Sequence, residues 1–149
     1  MSRKDRINNP EPAVCLIAFN TTLSKSNELG LVREELSTLG LHNIKQVNGR
    51  WAGEDELAYV VELPVGRDPF MMQKLTAIAK AYGQEEIWIL LEPETNGKRR
   101  VFRLREPEWK HAEQLGYFVP CTQSKAYTQA GWTFDANTGQ HYILEQIGE

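Results

Sequence analysis

Two amphipathic helix signals, set among short apolar runs, constrain this chain more than any other feature. The first joins Leu29, Val32, Leu36 and Leu39 at spacings of three and four. The second joins Met71, Leu75, Ile78 and Tyr82 in the same way. A single apolar stripe has to be covered by another element, and the runs between the helices supply strands to cover it. Val14-Cys15-Leu16-Ile17-Ala18-Phe19 is a continuous apolar run, the mark of a strand buried on both faces. Ile44 to Trp51 and Leu57 to Leu63 read as two strands joined through Ala52-Gly53-Glu54-Asp55, and Ile87 to Leu91 reads as a further buried strand.

The punctuation fits this reading. Ser26 or Asn27 can cap the first helix, and Gly40 can end it. Asp68 and Pro69 mark the start of the second helix, and Gly83 closes it. The order strand, helix, strand, strand, helix, strand predicts an α+β, ferredoxin-like βαββαβ core, an antiparallel sheet with both helices on one face. The last third predicts a β-hairpin extension. Asn96-Gly97 signals a turn before Val101 to Leu104, and Trp132 to Phe134 and His141 to Leu144 flank the loop Asp135 to Gly139. Residues 1–12 read as a flexible lead-in with Pro10 and Pro12, and residues 13–149 as one catalytic domain.

A net charge of −3 argues against a general nucleic-acid binder, which needs a basic face for phosphates. No apolar run reaches the roughly 20 residues that span a bilayer, and Met1 to Glu11 has no apolar signal-peptide stretch. A cytoplasmic protein without a membrane partner is expected. Cys15 lies in an apolar run, Cys121 stands apart from it, and a disulfide is not expected in that compartment. His42, His111 and His141 are widely separated, and no metal-ligand spacing is present.

No phosphate loop, dinucleotide fingerprint or nucleophile elbow occurs, so the chemistry has to come from the placement of carboxylates and aromatics. Gly49-Arg50-Trp51-Ala52-Gly53-Glu54-Asp55-Glu56 puts an aromatic and three acids around one hairpin. A solvated acidic turn is the plain alternative. Tyr82-Gly83-Gln84-Glu85-Glu86 sets an amide and a carboxylate where a helix hands over to a strand, and a polar loop is the plain alternative there. Phe19-Asn20-Thr21-Thr22 ends the first strand with short polar residues that can line a pocket. Lys98-Arg99-Arg100, Arg103 and Arg105 form a basic stretch that reads as a solvated hairpin, with nucleic-acid contact as the alternative and Arg103 and Arg105 on one strand face.

The same places carry a family resemblance over most of residues 14 to 145. The order of Ala18-Phe19, Gly49-x-Trp51, Tyr82-x-Gln84-Glu85, Glu113-x-Leu115-Gly116-x-Phe118 and the closing Gly131-Trp132-Thr133-Phe134-Asp135, Gly139, Tyr142 resembles the phage-encoded S-adenosylmethionine lyases, formerly called S-adenosylmethionine hydrolases. The resemblance implies an enzyme that takes S-adenosylmethionine as substrate and needs no cofactor. In that reaction the substrate's own carboxylate attacks its γ-carbon, giving L-homoserine lactone and 5′-methylthioadenosine. It implies Glu56 and Glu85 as the catalytic carboxylates, with Phe19, Asn20, Trp51 and Gln84 binding substrate. Glu56 fits the spacing Gly-x-aromatic-x-Gly-x-x-Glu better than Glu54. Trp51 stands where relatives often carry Tyr. The resemblance further implies a homotrimer with sites between subunits, and depletion of the host's methyl donor as an anti-restriction measure. Hydrolysis to homoserine, a non-catalytic small-ligand sensor and a protein-binding antirestriction factor are the competing readings.

Overall fold

The computed structural model describes residues 12–20, 26–41, 43–51, 53–63, 69–84, 86–105 and 112–146, with the backbone alone for 18–20, 26–29 and 69. The strands are β1 (Val14–Asn20), β2 (Lys45–Trp51), β3 (Glu54–Glu62), β4 (Glu86–Leu90), β5 (Arg99–Arg105), β6 (Glu113–Cys121), β7 (Gly131–Asp135) and β8 (Gln140–Gln146). The helices are α1 (Ser26–Thr38), α2 (Pro69–Ala81) and the single turn α3 (Gln123–Ala126). The strands close into one barrel in the order β1-β3-β2-β7-β8-β6-β5-β4, and β4 returns to β1 through Val14↔Leu90 and Leu16↔Trp88. Every neighbouring pair is antiparallel.

The ferredoxin-like α+β expectation is therefore overturned. An open ferredoxin-like sheet ends at its outer strands. Here β2, outermost in that scheme, pairs onward with β7 (Gly49↔Thr133, Trp51↔Gly131), and β4 pairs onward with β5 (Ile87↔Leu104, Ile89↔Phe102). The C-terminal third is not an appended hairpin. It is the other half of a closed wall, in which the backbone donors and acceptors that an edge would leave open are paired. The strand that makes closure possible is β6, which bridges β5 and β8 and was not expected. Its pattern is broken for two reasons. The register shifts beside Val101 and Phe102, so that Phe102 faces Gln114 while Val101 faces Gly116. Pro120 removes a donor, and Gly116 adds a side-chain gap.

The continuous apolar run of β1 has its explanation in two cores. Cys15 and Ile17 face outward and pack with Val32 and Leu36 of α1, Leu75 and Ala79 of α2, and Val61, Ile87 and Ile89 of the neighbouring strands. Val14 and Leu16 point the other way, into the barrel, against Val47, Ala58, Leu90, Val101 and Phe118. Leu36, Leu75, Ile17 and Val61 are completely excluded from solvent. Both helices thus cover one sector of the outer wall.

The helix ends place the residues that follow them. Gly40 (φ 81°) and Gly83 (φ 85°) adopt the left-handed conformation that ends a helix. After α2 the Gln84 N–H donates to the Ala79 carbonyl at 2.8 Å and the Gly83 N–H to Lys80 at 3.1 Å, which fixes the chain as it turns toward β4. The Asp68 cap lies outside the described residues, while Pro69 does open α2. Ala52 and Gly53 alone separate β2 from β3, so Glu54 and Asp55 belong to the strand rather than to the loop. Among the described residues no helix is long and apolar enough to cross a membrane.

Candidate functional site

Strand alternation sends Glu54, Glu56 and Ala58 to one face of β3 and Asp55 to the other. Ala58 faces the barrel interior, so Glu54 and Glu56 face the same way at one mouth. Asp55 turns outward, 3.7 Å from Arg50. The tight hairpin thereby separates the two candidate glutamates by depth: Glu54 is exposed at the rim and Glu56 is half-buried inside it.

Glu56, Trp51 and Gln84 line one cavity of about 390 Å³ together with Glu86, Trp88, Leu16 and Thr133. Three of the residues chosen from separate stretches of the sequence therefore meet at one barrel mouth. Trp51 comes from the end of β2, Gln84 from the turn that ends α2, and Glu56 from the start of β3. The side chains of Phe19 and Asn20 lie outside the described residues, although the β1 backbone sets Asn20 directly opposite Glu56 and Phe19 opposite Leu57. Glu85 also lies outside the described residues.

The Trp51 indole owes its position to two glycines. A Cβ placed on Gly131 would meet its ring carbon Cε3 at 2.0 Å, and one on Gly49 would stand 3.2 Å from its Nε1. The ring therefore lies flat over the β2–β7 backbone where no side chain intervenes. Trp88 meets it edge-on, with centroids 5.4 Å apart and planes at 78°.

Glu86 and Trp88, two residues apart on β4, complete the site. The Trp88 Nε1–H donates to Glu86 Oε2 at 2.9 Å, while Glu86 Oε1 faces Arg103 Nη1 at 3.9 Å. Arg103 Nη2 donates to Glu113, and Arg103 Nε is buried without a hydrogen-bond partner among the described residues. Residue 103 sits across from Trp88 in the β4–β5 register, so its side chain leaves the sheet on the same face, beside the indole. The basic stretch is therefore not simply a solvated hairpin, since Arg103 serves the acids of this mouth.

The carboxylates differ in electrostatic state. Burial raises the Glu56 carboxyl above its ordinary range, and the charges of Glu54 and Glu86 push it further in the same direction. Glu113 is held below its ordinary range by its hydrogen bond from Arg103 and by that residue's charge. Glu86 has a cationic neighbour, whereas Glu56 has no cation or hydrogen-bond donor beside it among the described residues. The mouth thus presents two indoles, an amide and a carboxylate surrounded by like charge. That combination attracts a desolvated cation through both the ring quadrupoles and the uncompensated acid.

Glu86 and Trp88 were missed from the sequence because Ile87 to Leu91 reads as plain buried strand. The available signal was an acid two residues before a tryptophan at a strand start, which shares a face in any strand. Trp132 goes elsewhere. It packs with Tyr127 and His141 outside the barrel, and Phe134 meets the same His141 ring with centroids 4.5 Å apart. Among the described residues no three His, Cys, Asp or Glu side chains group as metal ligands. A wider hollow of about 760 Å³ runs along α1, lined by exposed residues such as Arg33, Glu34 and Glu35, and contains none of the candidate residues. Searches with this chain match no family model and no curated protein.

Proposed function

We propose that the Trp51–Trp88 mouth binds S-adenosylmethionine and cleaves it to L-homoserine lactone and 5′-methylthioadenosine. The observation that supports this reading is the convergence of Trp51, Glu56 and Gln84 on one cavity already furnished with a second indole and a second carboxylate. A volume of about 390 Å³ suits a ligand of nucleoside size. The substrate's sulfonium is a cation that indoles and carboxylates attract. Its adenine offers a flat face to Trp51 or Trp88, and Gln84 can take polar atoms.

In the proposed step a carboxylate oxygen of the substrate forms a bond to its own γ-carbon. The carbon–sulfur bond breaks, and its electron pair leaves on sulfur as the neutral thioether. No proton has to move. The work is conformational, because folding the chain into the attack geometry draws on the about 10⁵–10⁸ M effective molarity of oriented groups. Opposite charges cancel along the way, so a site that sheds water favours the transition state over the bound zwitterion. Glu56 is assigned to the substrate's positive end, with Glu85 as the second carboxylate. The incompletely neutralised acid must hold the sulfonium without stabilising it more than the transition state. A homotrimer belongs to the same reading.

Purified protein incubated with S-adenosylmethionine, with products read by NMR and mass spectrometry, tests it. Lactone with methylthioadenosine is the expected result, and Glu56→Gln should lower kcat/KM by about 10²-fold or more. Homoserine formed directly would replace the lyase by a hydrolase. Binding without turnover would make the mouth a sensor, and neither binding nor turnover would end the reading. Light scattering that gives a fully active monomer would remove the trimer.

A further inference from the structure

The barrel contains a second cavity, of about 240 Å³, at the end opposite the Trp51–Trp88 mouth. All eight strands contribute to its wall, so it is the lumen itself. Eight-stranded barrels are either filled by their own side chains or keep room for one small ligand. Here the inward positions Val14, Val47, Val60 and Thr133 carry small side chains, and the space is left open. Phe118 and Tyr142 form a flat aromatic wall, stacked 5.1 Å apart with planes at 12°. Such a surface offers water few partners and an apolar group many.

The rim is polar and carries both signs of charge. Part of it serves structure. Arg99 Nη1 donates to the carbonyls of Pro12 and Leu91 at 2.9 and 3.1 Å, and Asn43 Nδ2 donates to Glu62 at 2.6 Å. The remaining charged pair is Lys45 and Asp135. Their nearest atoms, Nζ and Oδ2, are 3.8 Å apart, close enough for attraction and too far for a hydrogen bond. Asp135 Oδ1 accepts from the Asn137 N–H at 2.9 Å, which fixes the carboxylate and leaves Oδ2 facing Lys45. Lys45 is half exposed and can swing, whereas the Asp135 side chain is only 11% exposed.

We propose that the lumen is a second binding site, for a free α-amino acid with an apolar side chain. An α-amino acid carries its ammonium and carboxylate on one carbon. It can therefore insert at the Lys45–Asp135 pair, with carboxylate to Lys45 Nζ and ammonium to Asp135 Oδ2. Its side chain then enters the space between the valines and the Phe118–Tyr142 wall. The volume lies below the roughly 300–1,000 Å³ of sites for drug-sized ligands, so nucleosides are excluded by size. Leu16 and Thr133 line this cavity and the other mouth alike, so occupancy is felt at both. The proposal is independent of what the first mouth binds.

The test is a ¹H–¹⁵N NMR titration of the full chain with L-methionine, L-leucine and L-phenylalanine, and with N-acetyl-L-methionine amide as the uncharged control. Saturable shifts at Val47, Val60, Phe118 and Tyr142, absent with the control, are expected. Lys45→Met should weaken binding about tenfold while the remaining spectrum stays in place. Val60→Phe should abolish binding by filling the lumen, and if it does not fold, Lys45→Met decides. No saturable shift at tens of millimolar overturns the proposal. So do shifts confined to the Trp51–Trp88 mouth, equal binding of the blocked control, or unchanged affinity in Lys45→Met.

Discussion

Gly131→Ala isolates the packing that holds Trp51 in the candidate site. The added methyl would stand 2.0, 2.5 and 2.7 Å from three atoms of the indole, where ordinary contact begins at 3.4 Å. The ring has little room to retreat. Gly49 lies against its Nε1 side, and Trp88 stands edge-on 5.4 Å away. Either the indole swings out into the cavity or β7 moves off β2. Overpacking of this kind costs about 1–3 kcal/mol. At about 2–4 °C per kcal/mol for a chain near this size, the Tm should fall by about 2–12 °C. The near-UV circular dichroism of the Trp51–Trp88 pair should change with it. Gly30→Ala is the control, because nothing lies within 4 Å of its added methyl and it sits inside α1. There alanine gains helix propensity and should raise stability by about 0.4–1 kcal/mol. The same substitution thus has opposite signs at two glycines. An unchanged Tm and an unchanged near-UV spectrum in Gly131→Ala would refute the account of how Trp51 is seated.

Three further outcomes follow from the same structure. Glu56 has its folded-state pKa raised, so its contribution is fully present below the unfolded value of 4.5 and is lost as pH rises through the folded value. Glu56→Gln lacks that loss, and its Tm relative to the parent should climb between about pH 4 and pH 7, by an amount reduced by solvent screening; a pH-independent difference would contradict this. Leu75→Ala removes a completely buried side chain between α2 and the barrel wall and should cost about 2–5 kcal/mol in urea unfolding; a cost below about 1 kcal/mol would mean that α2 does not pack as described. Burial pushes the Cys15 thiol far above its ordinary range and the Cys121 thiol upward too, but only Cys15 is wholly enclosed. Thiol reagents should therefore label native protein slowly and at Cys121 alone, and reach Cys15 only after unfolding, as peptide mapping would show.

Local periodicity and local turn chemistry are enough to place several elements of this chain. The stripes of α1 and α2, the glycines that end them, Pro69 at a helix start and the β7–β8 hairpin are all set by neighbours within a few residues. So is the two-sided burial of β1, because a strand with a core on each face has to be apolar at every position. The grouping of Trp51, Glu56 and Gln84 was legible only as a resemblance, since each segment alone reads as an ordinary wet loop. The remaining features depend on contacts between segments distant in sequence. Whether β2 ends a sheet or continues into β7 depends on pairings between residues 80 to 86 positions apart, which no local pattern records, whereas β4 and β5 pair across 11 to 19 positions around the Asn96-Gly97 turn. Closure also set the depths of Glu54 and Glu56, brought Trp88 and Arg103 to the same mouth, and left a lumen where small side chains meet. The hydrophobic effect selects which faces are buried without direction, whereas the partner along each strand edge is fixed by directional backbone hydrogen bonds.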